Sequence, residues 1–194
     1  MSKSDPAASK KERNKTIRWV VTIFIVTILI SGIISFASNE IMSASSVPVA
    51  FIILLVIVFI GIIFDIIGVA VTSADEKPFH SMASRKVPGA HEAINLLRNA
   101  ERVSSICNDV IGDICGVVSG SASASIAAQV IVNFSGNVGE IIMLLMSAMV
   151  AGLTVGGKAI GKTFAIGSCT KIVSVVGRVI WFFKRFPSLN KKKK

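Results

Sequence analysis

The stretch VPVAFIILLVIVFIGIIFDIIGVAVT, residues 47–72, decides the architecture. Residues 47–64 carry no charge and cover roughly 27 Å as a helix, about the hydrocarbon thickness of a bilayer. The run then meets a single carboxylate, Asp65, and stays uncharged to Thr72. An acid inside a membrane-spanning helix is costly and points to function.

Working outward, residues 19–36 form a second uncharged run of the same length. Two further spans are predicted at about 103–132 and 141–155, the first interrupted by polar residues. Composition agrees: the chain has 194 residues, is 52% hydrophobic and has a mean hydropathy of +0.72. The fold class expected is all-α: an integral membrane bundle of four spans with juxtamembrane and interfacial amphipathic helices. The first span is read as a retained helix, because its apolar run is too long for a signal peptide. No catalytic motif appears, so the chain is not expected to be an enzyme.

The charges fix the expected topology. All 21 Lys and Arg fall in residues 1–18, 73–102 and 158–194. The other two connections carry only Glu40 and Glu140. Basic loops stay on the cytoplasmic side, so both termini are expected inside a cell membrane, consistent with a bacterial inner membrane.

Along the chain, residues 1–16 read as a disordered basic tail and 17–38 as an additional amino-terminal span. Pro48 starts the second helix. After Pro88-Gly89 an amphipathic helix is predicted, with Ala93, Ile94, Leu97 and Ala100 on one face. The third span places Gly112, Gly116 and Gly120 at four-residue spacing, followed by Ser119, Ser121, Ser123 and Ser125. Such a face permits close helix packing and suggests a homodimer. Beyond residue 167 the pattern is that of a surface helix. Lys171, Arg178 and Arg185 recur at seven-residue steps as a lipid-facing basic stripe, with Trp181 as an interfacial anchor. Residues 186–194 form a polybasic tail, serving topology or binding anionic lipid. Membrane lipids are therefore the expected partners, and nucleic acid is not.

Cys107, Cys115 and Cys169 show neither a disulfide framework nor metal spacing and read as reduced. Asn133-Phe134-Ser135 fits a glycosylation sequon. His80 and His91 have no ligand spacing and read as surface residues. Gly156 to Thr163 matches the P-loop pattern G-x4-G-K-T. The strand and open sheet that a P-loop requires are missing, so no nucleotide is expected.

The acids within the spans are the candidate site. Asp65 lies about 15 Å deep, and Asp109 and Asp113 about 10 and 16 Å deep. Asp109 and Asp113 are four apart and share a face, and Asn108 lies beside them. Oxygen ligands without sulfur or imidazole suit a hard cation such as Mg2+. The predicted metal site is Asp65, Asn108, Asp109 and Asp113. Alternatively, Lys158 neutralises one carboxylate and the acids are structural.

These landmarks resemble the transmembrane domain of the CorB/CorC/CNNM family of magnesium and cobalt transport proteins, over residues 47–185. Phe64-Asp65-Ile66-Ile67-Gly68 stands where the family has a Phe-Ser-x-Ser-Glu type stretch. Asn108 stands at a family asparagine, and Asp113 where another often lies. Gly157-Lys158-Ala159-Ile160-Gly161-Lys162 resembles the family's Gly-Glu-(Ile/Leu)-x-Pro-Lys, with Lys158 replacing an acid and Gly161 a proline. The resemblance implies a dimeric domain holding Mg2+ among its helices, and divalent cation (Mg2+/Co2+) transport. The family's cytoplasmic CBS-pair and carboxyl-terminal domains have no counterpart here, so nucleotide-regulated gating is not expected. The alternative is a non-transporting membrane scaffold or accessory protein.

Overall fold

A computed structural model describes residues 6–131 and 137–190 and is helical throughout, with no strand among the described residues. Among the described residues four helices are long and apolar enough to span a membrane: Ile17–Met42, Val47–Ser73, Ala100–Ile131 and Gly139–Gly167. The sequon and residues 191–194 lie outside the described residues.

The first helix, α1 (Pro6–Ser43), begins inside the stretch assigned from sequence to a disordered tail. A short turn follows, and α2 (Val47–Ser73) starts with Ser46 at its N-cap and Pro48 in its first turn. Proline fits there because first-turn amides have no helical acceptor to lose. Three short helices come next: α3 (Lys77–Ser84), α4 (Ala90–Arg98) and α5 (Ala100–Ser104). A π-helical segment, Ser105–Gly112, leads into α6 (Asp113–Ile131). The chain returns through α7 (Asn137–Gly167) and ends in α8 (Cys169–Asn190).

Side-chain contacts fix the directions. Gly61 lies against Cys115 and Gly68 against Asn108, so α2 and the π–α6 helix are antiparallel. Gly157 lies against Ile62 and Gly161 against Ile66, so α7 runs parallel to α2. At one end of α1 the Arg102 guanidinium sits 5.5 Å from the centre of the Trp19 ring. At the other, Ser125 Oγ donates to Asn39 Oδ1 at 3.3 Å and Gln129 Nε2 to the Met42 carbonyl at 3.2 Å. Helix α1 therefore runs parallel to α6. The four spans alternate in direction, and Trp19, α3–α5 and α8 gather at one end.

Buried apolar clusters hold this arrangement, one of them joining Val110, Ile114 and Val118 to Ile23 and Ile57. Within the spans, Met42, Ala50, Leu54, Val58, Ala122, Ile126 and Val150 interlock. Close van der Waals packing of this kind binds helices in lipid, where apolar burial alone gives no preference. At the α3–α5 end, Phe79, Ala93, Ile94, Leu97 and Val173 pack with Ala70, Val71 and Ala165. The predicted amphipathic face of α4 is the buried one, although Asn99 breaks the helix before Ala100. Helix α8 crosses α4 very closely. A β-carbon on Gly177 would lie 2.6 Å from the Gly89 carbonyl oxygen, and Gly89 itself has φ +86°. Glycine tolerates that left-handed conformation without strain.

The fourth span is longer than the predicted 141–155, because residues 156–167 continue the helix. The P-loop-like stretch Gly156 to Thr163 is thus helical, and Gly157 and Gly161 are its contact points with α2. A P-loop needs a loop whose amides cradle phosphate, and none is formed here.

Candidate functional site

The site grows from one stripe on α2. Gly61, Asp65 and Gly68 are spaced four and three apart, so they share a helix face. That face meets the π segment and the start of α6. The glycines let the partner helix approach: a β-carbon on Gly61 would sit 2.8 Å from Cys115 Cβ, and one on Gly68 would collide with the Asn108 side chain. Between them Asp65 is buried, with 5% exposure.

The facing wall is the π segment. Its wider turn bonds each amide five residues back rather than four, and such turns often accompany functional sites. Asn108 and Gly112, four apart, point toward α2. Asn108 is half-buried, and its Nδ2 donates to Ser104 Oγ at 3.2 Å. Its Oδ1 is buried and has no donor, and the same holds for Asp65 Oδ2. Buried polar atoms are nearly always partnered, so two orphaned oxygens at one junction call for explanation.

The third wall is α7. Lys158 is half-buried, and its Nζ donates to the Gly112 carbonyl at 3.4 Å. A β-carbon on Gly112 would lie 3.4 Å from Lys158 Nζ and 3.9 Å from Asp65 Oδ1. The ammonium and the carboxylate therefore approach the same glycine from opposite helices. They make no direct ion pair. Near the α3–α5 end Glu76 pairs with Arg98 and Glu92 with Lys184. Asp65 stands eight residues from the end of α2 and Lys158 nine from the end of α7, about 12 and 14 Å along the helices.

Of the four residues expected to converge, Asp65 and Asn108 both lie on the interface of α2 with the π segment, Asp65 beside Gly112 and Asn108 against Gly68. Asp109 and Asp113 are both exposed on the outside of the bundle. No group of three or more Asp, Glu, His or Cys side chains able to hold a metal exists among the described residues. The reason is angular. Asn108 and Gly112 occupy the inward face, and each aspartate follows one of them by a single residue, roughly a quarter-turn further round the helix. The residue that sequence reasoning assigned only as charge partner, Lys158, is part of the site. The basic residues Lys171, Arg178 and Arg185 are exposed on one side of α8, as the seven-residue spacing implies.

The junction offers a carboxylate, an amide oxygen and a backbone carbonyl, with a lysine in reach. Such a set can hold a cation, either the tethered ammonium or a free ion. No family model, no curated protein and no solved structure matches the chain.

Proposed function

We propose that this membrane-embedded protein passes a hard divalent cation of the Mg2+ class across a cell membrane, through the junction of α2, the π segment and α7. The observation that carries this reading is the pair of buried, unpartnered oxygens, Asp65 Oδ2 and Asn108 Oδ1. Oxygen donors without sulfur or imidazole match the preference of Mg2+. The residue patterns resembling the CorB/CorC/CNNM family support the same assignment.

Charge sets the mechanism. One carboxylate and one ammonium balance, so the resting site is neutral. A divalent ion about 4 Å from an ammonium is repelled by several kcal/mol even at the effective dielectric of a protein. The ion and the Lys158 head therefore alternate. Lys158 holds the Gly112 carbonyl when the cargo is gone and withdraws along its flexible stem when the cargo binds. Asp109 and Asp113, outside the bundle, take no part.

The test is a thermal-shift titration of purified protein with Mg2+. At a hundredfold excess over Kd a bound ion stabilises by about 2.7 kcal/mol. Lys158→Gln is expected to respond at lower Mg2+ than wild type, and Asp65→Asn to give no response. A second reading, a non-transporting scaffold or accessory protein, is favoured by the ammonium already at the site. No response in either wild type or Lys158→Gln would establish it.

A homodimer belongs to the same proposal. Gly116, Ser119, Gly120 and Ser123 of α6 line a groove of about 170 Å³ with Ser147 and Thr154 of α7. A helix of a second copy fits such a small-residue groove.

A further inference from the structure

A second groove lies where α2 meets the corner between α7 and α8. It encloses about 450 Å³ and is walled by Ile63, Ile66 and Ile67 of α2, Phe164 of α7, and Val175 of α8, with Lys171 at α8's first turns. Ile63, Phe164 and Val175 are more than half exposed, so the groove opens outward from the bundle. Its α2 and α7 walls belong to spans, so hydrocarbon is the medium that reaches it. Lys171 lies just past the end of the α7 span, where lipid headgroups begin, and is itself exposed.

Helix α8 divides its surface three ways. Val173 and Gly177 are buried against the rest of the protein. Val175, Val179, Phe182 and Phe183 form an exposed apolar sector. Lys171, Arg178 and Arg185 form a cationic stripe beside it, with the Arg185 guanidinium stacked 5.0 Å from the Trp181 ring centre. That division suits a helix lying at a bilayer surface, with its apolar sector among acyl chains and its cations level with phosphates.

We infer that the α2–α8 groove binds one anionic phospholipid, an acyl chain lying along Ile63, Ile66 and Val175 and the phosphate on Lys171. Charge complementarity selects the occupant: an apolar channel ending in a cation matches a lipid with a net negative headgroup. The site is distinct from Asp65 and does not depend on the cation reading.

The test is native mass spectrometry of the full chain in detergent, titrated with equal phosphatidylglycerol and phosphatidylcholine. Wild type is expected to retain one phosphatidylglycerol in preference to phosphatidylcholine. Lys171→Gln, an exposed change, should cut that preference about fivefold, the effect of one basic side chain near a lipid surface. Val175→Trp, which fills the groove from an exposed position, should reduce retention of both lipids. Arg185→Gln should leave the retained lipid in place. Equal retention of the two lipids by wild type would overturn the assignment. So would a loss in Arg185→Gln as large as in Lys171→Gln, which would mark diffuse attraction rather than a site.

Discussion

Lys158 on α7 donates to the backbone carbonyl of Gly112 on the π segment at 3.4 Å, and the carboxylate of Asp65 faces the same glycine. A lysine and an aspartate thus approach one glycine from two different helices. Burying either charge alone in lipid is expensive, so each lowers the cost of the other.

That relationship predicts coupling. Asp65→Asn and Lys158→Gln should each destabilise the protein in the absence of divalent ions, because each leaves one uncompensated charge. The double variant should be less destabilised than the sum, by about 1 kcal/mol or more. Thermal unfolding in a single detergent, read as a double-mutant cycle, measures this. Strict additivity would show that the two charges do not sense each other.

The contact of α7 with α2 depends on two glycines. A β-carbon on Gly161 would come within 2.8 Å of Ile66 Cγ1, and Gly157 is tighter still against Ile62. Gly161→Leu should therefore part the helices and cost roughly 1–3 kcal/mol, the usual effect of overpacking. Gly152→Leu, at a glycine with nothing within 4 Å, should cost far less. Melting temperatures of the two variants compare them directly.

At the α3–α5 end, Gly177 carries the approach of α8 to Gly89. Gly177→Ala should lift α8 from α4 and expose Trp181, which is half-buried in the native chain. A red shift of its fluorescence, in a Trp19→Phe background, is the readout. An unchanged spectrum would mean the backbone shifts without losing the contact.

Light scattering in detergent should give a dimer for wild type and a monomer for Gly120→Leu, a substitution at an exposed glycine with nothing within 4 Å in the single chain. A monomeric wild type would contradict the dimer.

Much of this architecture is written in the sequence as composition. Uncharged runs of bilayer length mark the spans, and the period of Ala93, Ile94 and Leu97 marks the packed face of α4. Where the prediction falls short, local signals were ambiguous. Glycines near residue 156 resemble a loop in water, yet in a membrane helix they mark contact, so the fourth span runs on to Gly167. The carboxylates were harder. Asp109 and Asp113 have the spacing of a shared face, but nothing in their spacing says which way that face turns. The π segment puts Asn108 and Gly112 inward instead. One clue was available: Gly61, Asp65 and Gly68 form a single stripe on α2, which identifies the side of Asp65 on which another backbone must come close.

The central claim is that Asp65 and Asn108 form a cation path which Lys158 occupies in turn, and Mg2+ flux into proteoliposomes containing a Mg2+-sensitive dye tests it most directly. The account predicts that wild type and Lys158→Gln admit Mg2+ faster than protein-free vesicles, and that Asp65→Asn admits it no faster than they do. Flux equal to protein-free vesicles in both wild type and Lys158→Gln, or flux undiminished in Asp65→Asn, would contradict it.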